Sequence, residues 1–428
     1  MTIASPARAV DAGDDRLVRN ALFLATFLLT WLTATPFPDI GDPQSPTSSE
    51  GNLFGQVLTL LSTAALAAFA ICKNARIVLK AFTPLLALTL VWFAVSAVMS
   101  AHPELAGRRL VLAVFTIFGA AVFLLLPEDR VHFGRLLAVG SLIVLALCYS
   151  GVLLIPGRAI HQFGDLMESD LAGAWRGAFG HKNGAGASMV VLIFIGIYVC
   201  RTFNLAVGLL IVALSGVFLV FSMAKSPLRL LPVVLLVAFL VDWLRSPTLK
   251  LVLIAGIPLV LNTLTVGSVA FEAVAAMLTG VISDPSFTGR DVIWLFTLDQ
   301  IAQRPVAGFG FQAFWGTSEL ADGSIEESWG YRASDAHNSF LNVAVMTGIA
   351  GLALSLLWTV VQPFADYVRG RSTRPDPALT MLFLQIWLFG LFLSAFESVL
   401  FSGGSSLWFM MIVAIVGFRY QTTARLAR

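Results

Sequence analysis

The chain has 428 residues, of which 57% are hydrophobic and only 12% are charged, and its mean hydropathy is +0.85. These values lie outside the range of soluble globular proteins and predict a polytopic membrane protein. The formal net charge of +2 is too small to indicate a nucleic-acid-binding protein.

Apolar runs long enough to cross about 30 Å of hydrocarbon as helices recur along the whole chain. We place them at approximately 20–36, 53–72, 78–99, 110–126, 134–156, 185–200, 204–222, 228–244, 249–270, 339–361, 378–399 and 405–419. The sequence therefore predicts an all-α integral membrane fold of about twelve transmembrane helices, forming a single domain over residues 1–428. No cleavable targeting peptide is expected, because acidic residues precede a first run that is long enough to span.

The distribution of basic residues predicts the orientation in the membrane, because cytoplasmic loops collect Lys and Arg. With the N-terminus inside, most of the 27 basic residues fall in cytoplasmic segments. Both termini then lie in the cytoplasm, and the loops at 37–52, 157–184 and 271–338 face outward. The three cysteines have no pairable spacing and are expected to act as small hydrophobic residues.

The outward loop at 271–338 is long and carries many aromatic residues. This composition predicts a segment that folds against the membrane surface and is not disordered. Within it we expect a helix from about Arg290 to Gln303. Thr288 or Ser286 can cap its start, and the arginine–proline pair at 304–305 would end it.

The segment that follows this helix, at 308–315, combines glycines with aromatic residues. Glycines let backbone pass close to a ligand, and an aromatic side chain such as Trp315 can stack on a sugar ring. An interfacial aromatic belt, which most membrane proteins have, would give the same composition.

Ten basic residues fall on the predicted outer side, where topology gives no reason for them. They are Arg108, Arg109, Arg158, Arg176, Lys182, Lys225, Arg229, Arg290, Arg304 and Arg332. Positive charge close to the bilayer suits an anionic lipid head group, and a diphosphate is the densest such anion. Alternatively, each basic residue snorkels or pairs with a nearby carboxylate.

Four of the five histidines, at 102, 161, 181 and 337, also fall on the outer side. None has the spacing of a zinc site, so we predict no metal. His337 lies where a membrane helix begins near Asn338, with Ser334 or Asp335 available as N-cap. A helix N-terminus lowers the pKa of imidazole, so a neutral His337 could accept a hydroxyl proton. A capping or interface role is the alternative.

Several short motifs occur in a defined order along the second half of the chain. They are Gly289-Arg290 followed by Trp294, then Arg304-Pro305, Gly308 and Gly310, the segment AHNSFL at 336–341, and Gly348 with Gly351-Leu352. Together they resemble the O-antigen ligase and polysaccharide polymerase superfamily. The GHKN element at 180–183 looks like that of exopolysaccharide polymerases of the succinoglycan type.

The segment FSMAKSPL from Phe221 resembles the S-x-S-R element of the same superfamily, with two departures. Ala224 replaces the second serine, and Lys225 replaces the usual arginine. Because an ammonium group lacks the fork of a guanidinium, bidentate phosphate binding is in doubt at Lys225, although electrostatic attraction is not.

The resemblance implies a metal-independent glycosyltransferase of the GT-C type in the bacterial cytoplasmic (inner) membrane, without a cofactor. Its donor would be an undecaprenyl diphosphate-linked glycan at the periplasmic face, and its other partners would be a glycan acceptor, membrane lipid and a chain-length regulator. His337 and Arg290 would be catalytic, and three motif residues, Lys225, Arg290 and His337, would converge on one cavity. Diphosphate binding is assigned to Lys225, Arg290, Arg304 and Arg332, and further substrate contacts to His181, Lys182, Asn183, Asn338 and Trp315.

Alternative functions remain open at this point. A polymerase would join the repeat units of an exopolysaccharide or O-antigen, whereas a ligase would transfer a finished glycan to a lipid A core or another acceptor. The GHKN element favours the polymerase. A transporter or flippase of lipid-linked sugar is disfavoured, because transporters place charges within their helices and show repeated halves. A structural or sensory membrane protein is the remaining alternative.

Overall fold

A computed structural model of the protein describes residues 6–32, 36–38, 53–73, 75–163, 169–279, 287, 289–317, 333–370 and 376–423. The helices of these ranges are α1 (Pro6–Leu32), α2 (Leu53–Lys73), α3 (Ala75–Val78), α4 (Pro84–Val98), α5 (Pro103–Phe123), α6 (Arg130–Leu154), α7 (Pro156–Ala159), α8 (Lys182–Thr202), α9 (Leu205–Phe221), α10 (Lys225–Trp243), α11 (Pro247–Leu264), α12 (Val266–Ala270), α13 (Glu272–Thr279), α14 (Arg290–Gln303), α15 (Ser339–Leu356), α16 (Gln362–Gly370), α17 (Pro377–Leu393) and α18 (Ser406–Thr423). A 3₁₀ turn covers Ser169–Leu171, and a π-helical turn at Leu357–Val361 joins α15 to α16.

The helices confirm the prediction of an all-α integral membrane protein. Six of the described helical segments are long and apolar enough to cross a membrane, and four shorter apolar helices accompany them. Every one of the predicted apolar runs overlaps a helix. In the described ranges the only extended pairing is an isolated bridge between Ile160 and Trp175.

Helices α17 and α18 lie in the middle of the bundle. Nearly all of their side chains are buried, including bulky ones such as Trp387 and Phe409. In contrast, α9, α10 and α11 expose many large apolar side chains, as helices in contact with lipid do. The loop at 394–405, which joins α17 to α18, therefore emerges near the middle of one end of the bundle. We call this end the site end.

Helix α15 is broken at Gly348, whose φ of 71° and ψ of 178° are not helical. The segment 305–310 packs against this break and forms backbone hydrogen bonds with residues on either side of it. Gly310 N donates to Met346 O (2.9 Å), and Ile349 N donates to Pro305 O (2.8 Å). A Cβ atom on Gly348 would lie 1.8 Å from Val306 O. The motif glycines therefore let two backbone segments pack together, whereas the sequence suggested approach to a ligand.

Candidate active site

Helix α14 begins at Arg290 and ends at Gln303, as predicted. Its N-cap differs from the expectation, because Gly289 occupies that position with a φ of 79° and makes no side-chain capping bond. Thr288 and Ser286, the predicted caps, lie outside the described residues. A left-handed conformation is accessible to glycine at little cost, which explains the Gly-Arg pair at the start of this helix.

The guanidinium of Arg290 binds the loop between the two central helices. Its Nη2 lies 2.8 Å from Glu397 Oε1, and its Nη1 donates to Phe396 O over 2.5 Å. The side chains of Arg290 and Glu397 are only 17% and 18% exposed. Arg290 is thus held in a fixed orientation by two acceptors, and a guanidinium with five N–H donors has others left for a substrate.

His337 approaches the same carboxylate from the segment before α15. Its Nδ1 lies 3.3 Å from Glu397 Oε2 and 3.8 Å from Asp335 Oδ1. Asp335 also accepts hydrogen bonds from His337 N (2.7 Å) and from Ser398 Oγ (2.7 Å). With Nδ1–H directed at carboxylates, the lone pair of the neutral ring is on Nε2, which is the arrangement of a histidine base oriented by an acid.

Burial lowers the pKa of His337, but the hydrogen bond to Glu397 and the charges of Asp335 and Glu397 outweigh it, so the pKa lies above its usual value. Burial raises the pKa of Glu397, yet the charge of Arg290 and the contact with His337 bring it down to about 2. Glu397 is therefore ionised, and His337 is a stronger base than free imidazole.

The predicted lowering of the His337 pKa by a helix N-terminus is wrong for a geometric reason. The N-cap of α15 is Asn338, whose Oδ1 accepts from Phe340 N (3.0 Å) and Leu341 N (3.1 Å). His337 precedes this cap, with a φ of +45°, and two carboxylates face it. Neither of the predicted N-caps, Ser334 and Asp335, occupies that position.

The GHKN element forms the start of α8. His181 is the N-cap, and its Nδ1 accepts from Asn183 N (3.1 Å), while His161 Nε2 accepts from Lys182 N (3.3 Å). Burial and the neighbouring His161 lower the pKa of His181 to about 4. Because its Nδ1 lone pair caps the helix, neutral His181 carries its proton on Nε2 and is a hydrogen-bond donor there, not a base.

Asn183 connects this element to the site. Its Nδ2 donates to Glu397 Oε1 over 2.9 Å, beside the bond from Arg290. Glu397 therefore receives hydrogen bonds from α8, from α14 and from His337. Sequence reasoning missed Glu397 because it was counted in the apolar run at 378–399. A lone carboxylate at the end of a membrane span is itself a signal for a functional group.

Lys225 is the first residue of α10 and lies beside α8. The preceding Ala224 packs so closely on Gly186 that a Cβ atom on that glycine would lie 2.4 Å from the Ala224 Cβ. Among the described residues, the exposed ammonium of Lys225 has no hydrogen-bond or ion-pair partner. The structure thus joins Arg290 to His337 through Glu397, while Lys225 contacts neither of them.

Arg304, another predicted diphosphate ligand, is not in this cluster. Arg304 follows the last turn of α14, about 20 Å from Arg290 at the rise of an α-helix, and its guanidinium stacks over the Phe309 ring at 4.6 Å. Arg332 lies outside the described residues.

Two of the predicted substrate contacts use their polar groups within the protein. Trp315 is buried and its Nε1 donates to Asn342 Oδ1 over 2.6 Å. Asn338 is fully buried, and its Nδ2 donates to Asn262 Oδ1 (2.8 Å) and Ala395 O (3.2 Å). These hydrogen bonds connect segments within the protein. The geometry therefore does not favour the prediction that either side chain contacts the substrate directly.

An apolar groove of about 760 Å³ runs between α11, α14, α15 and α17 and reaches Asn338, the neighbour of His337. Its wall is almost entirely apolar and mostly aliphatic, with Asn262, Thr263 and Asn338 as the polar exceptions. No three His, Cys, Asp or Glu side chains within the described ranges are grouped so that they could hold a metal ion.

Comparison with known proteins identifies a family that part of this chain resembles. Residues 209–356, less than half of the chain, match a family model described as O-Antigen ligase. The chain is also 36% identical over 104 residues to "Exopolysaccharide production protein ExoQ" of Rhizobium meliloti (strain 1021). That alignment covers 23% of this chain and 24% of the relative, so the chain matches only about a quarter of that protein's length.

These matches confirm the family resemblance indicated by the motifs. The matched segment at 209–356 contains Lys225, Arg290 and His337. Glu397, the carboxylate on which Arg290 and His337 meet, lies beyond it.

Proposed function

We propose that the protein is a membrane glycosyltransferase that polymerises undecaprenyl diphosphate-linked repeat units of an exopolysaccharide or O-antigen on the periplasmic face of the inner membrane. The observation that carries this proposal is the meeting of Arg290 and His337 on Glu397, at the end of a membrane bundle and beside an apolar groove. The relative named for exopolysaccharide production supports the polymerase.

In the proposed reaction a hydroxyl oxygen of the acceptor glycan forms a bond to the anomeric carbon of the donor. The bond from that carbon to the lipid diphosphate breaks, and the diphosphate leaves with the electron pair. His337 Nε2 takes the hydroxyl proton, and the imidazolium that forms is stabilised by Glu397 and Asp335 through Nδ1.

The leaving diphosphate needs positive charge near the point where its own charge increases. Arg290 is oriented by Phe396 O and Glu397, so its remaining N–H donors can bind the diphosphate without reorganisation. Lys225, at the start of α10 beside α8, would add a second positive charge. Side chains thereby neutralise the diphosphate in a metal-independent reaction, consistent with the absence of a D-x-D motif from the sequence.

The apolar groove offers a place for the first isoprene units of the lipid carrier. Its apolar wall suits a hydrocarbon chain, and two of its polar exceptions, Asn262 and Asn338, are hydrogen-bonded to each other beside His337. A lipid in this groove would present its diphosphate near His337 and Arg290, because Asn338 belongs to both the groove and the loop that holds His337.

An O-antigen ligase is the second candidate, and the description of the matching family favours it. Both enzymes need the same base and the same cations, so the acceptor distinguishes them. Purified protein in lipid nanodiscs is incubated with a defined undecaprenyl diphosphate-linked repeat unit, with and without a lipid A core acceptor. Longer lipid-linked glycans from the repeat unit alone support the polymerase, whereas product only with the core acceptor supports the ligase. Movement of the substrate across vesicles without a new glycosidic bond would contradict both.

A further inference from the structure

A second basic group occupies the start of α5 and lies at the site end of the bundle. It consists of His102, Arg108 and Arg109, which we call the α5 cluster. Arg109 Nη1 donates to the main-chain carbonyl of Gln312, and Gln312 Nε2 donates to the carbonyl of Phe401. The cluster is therefore tied to the same loop, 394–405, that carries the site carboxylate.

The α5 cluster is close to the proposed catalytic site but separate from it. Phe401 follows Glu397 by four residues, which span at most about 14 Å of chain. Arg290 and His337 contact the side chain of Glu397, whereas Phe401 is connected to the α5 cluster through Gln312. The loop thus connects two groups of cations that face the same end of the membrane bundle.

The two arginines of the α5 cluster lack a counter-charge within the part of the chain that the structure describes. No described carboxylate forms an ion pair with Arg108, which is exposed, or with Arg109, which is partly buried. His102 Nε2 is buried and has no hydrogen-bond partner there. Arg290 differs, because it forms an ion pair with Glu397. Adjacent guanidinium groups repel each other, and a partly buried cation without an anion is costly, so this arrangement suits an anion from outside.

We propose that the α5 cluster binds the diphosphate of a second lipid-linked glycan, the acceptor. This inference rests on the proposed polymerase function, in which both reacting repeat units are attached to a lipid diphosphate. The forked guanidinium groups of Arg108 and Arg109 match the geometry of phosphate oxygens. The acceptor glycan would extend from the α5 cluster along the 394–405 loop, and its terminal hydroxyl would reach His337.

The two anion sites then have different tasks in the reaction. The diphosphate beside Arg290 is released when its bond to the anomeric carbon breaks. The diphosphate on the α5 cluster stays bonded to the acceptor, which leaves the reaction as the longer product and retains its lipid. Only one diphosphate is freed for each new glycosidic bond, and the hydroxyl proton goes to His337.

The test measures binding stoichiometry with labelled undecaprenyl diphosphate, using the full-length protein in phosphatidylcholine nanodiscs. We expect two equivalents for the wild type and one for the double variant Arg108→Gln/Arg109→Gln. Arg290→Gln should also bind one. The double variant Arg76→Gln/Arg201→Gln removes two exposed arginines from the opposite end of the bundle and should still bind two.

A kinetic measurement supplies a second readout. In two-substrate polymerisation assays, Arg108→Gln should raise the KM for the acceptor by about ten- to a hundredfold, as expected for lost hydrogen bonds to a charged group, with donor binding unchanged. Arg108 is exposed, so this single variant keeps the test valid if Arg109→Gln does not fold. Arg109→Lys, which keeps the charge and loses the fork, should show an intermediate KM.

The outcomes separate the two proposals. If the wild type binds one equivalent that only Arg290→Gln removes, the α5 cluster proposal is overturned and the proposed function stands. If the wild type binds none, both fail. Displacement of the second equivalent by phosphatidylglycerol or by inorganic pyrophosphate as readily as by unlabelled lipid diphosphate would also overturn the proposal, because the cluster would then recognise any bilayer phosphate or a free anion.

Discussion

Replacing Glu397 by Gln is the most direct test of the proposed site. This change keeps the size of the side chain and removes the negative charge that Arg290 and His337 share. The Nδ1–H of His337 could still donate to the amide oxygen, and Asp335 remains 3.8 Å away. The variant therefore isolates the charge of Glu397 from its shape.

The size of the effect follows from the contacts. A pKa of Glu397 that falls from 4.5 to about 2 corresponds to roughly 3 kcal/mol in favour of the ionised carboxylate, divided among its partners. A hydrogen bond to a charged group contributes about 1.5–3 kcal/mol and a neutral one about 0.5–1.5 kcal/mol, so replacing the charged acceptor of the imidazolium by an amide oxygen should slow turnover by roughly five- to fifteenfold. The pKa of His337 should also fall toward its usual value, because the charge that raises it is lost.

Turnover measured against pH tests both parts of this reasoning. A base acts in its neutral form, so wild-type activity should rise with pH through the raised pKa of His337 and then level off. Glu397→Gln should shift this rise to lower pH and lower the plateau. The matched control is Glu272→Gln, which removes an exposed carboxylate from α13 and should leave the profile unchanged. A Glu397→Gln enzyme with the wild-type plateau and the wild-type rise would refute the assignment.

Three further outcomes follow from the geometry. His337→Ala should reduce turnover by about a hundred- to ten-thousandfold while donor binding stays nearly intact, and wild-type polymer yield from inserted protein would place the base elsewhere. Arg290→Ala should weaken donor binding and turnover together, and Arg290→Lys should restore only part of each. Binding is measured as the lipid-linked donor retained on the purified variant, and turnover as the polymer formed in a deletion strain. Gly348→Ala should destabilise the protein by about 1–3 kcal/mol in thermal unfolding, because a Cβ atom there meets Val306 O and φ is positive. Gly256→Ala on α11 should not, because a Cβ atom there makes only an ordinary contact of 3.9 Å with Val252 Cγ1. Equal unfolding of the two alanine variants would contradict the role given to the break in α15.

The membrane helices could be predicted from sequence because the bilayer imposes their length and composition. The bounds of α14 were also predictable, since the arginine–proline pair at 304–305 ends a helix by local sterics. Local rules of this kind need only neighbouring residues. They describe the scaffold well and place Arg290 at the start of one helix and His337 just before another.

The centre of the site could not be predicted, because its contacts join distant parts of the chain. Glu397 is 107 residues from Arg290 and 60 from His337, and a hydropathy window counts it as part of a membrane span. The pKa of His337 was misjudged for the same reason: the helix start was visible in the sequence, whereas the carboxylate from another loop was not. The roles assigned to Lys225, Arg290 and His337 remain proposals.

The position of Glu397 between the two most enclosed helices has a consequence for how such an enzyme diversifies. Mutations on the lipid-facing helices, or in the outer loops that would contact the glycan under the proposed function, leave α17 and α18 in place and therefore should not displace the carboxylate. Under the proposed function, sugar preference can change while the carboxylate that orients His337 is inherited unchanged. Chimeras that exchange outer loops between relatives and keep 376–423 from one parent should be a practical route to new polymer structures.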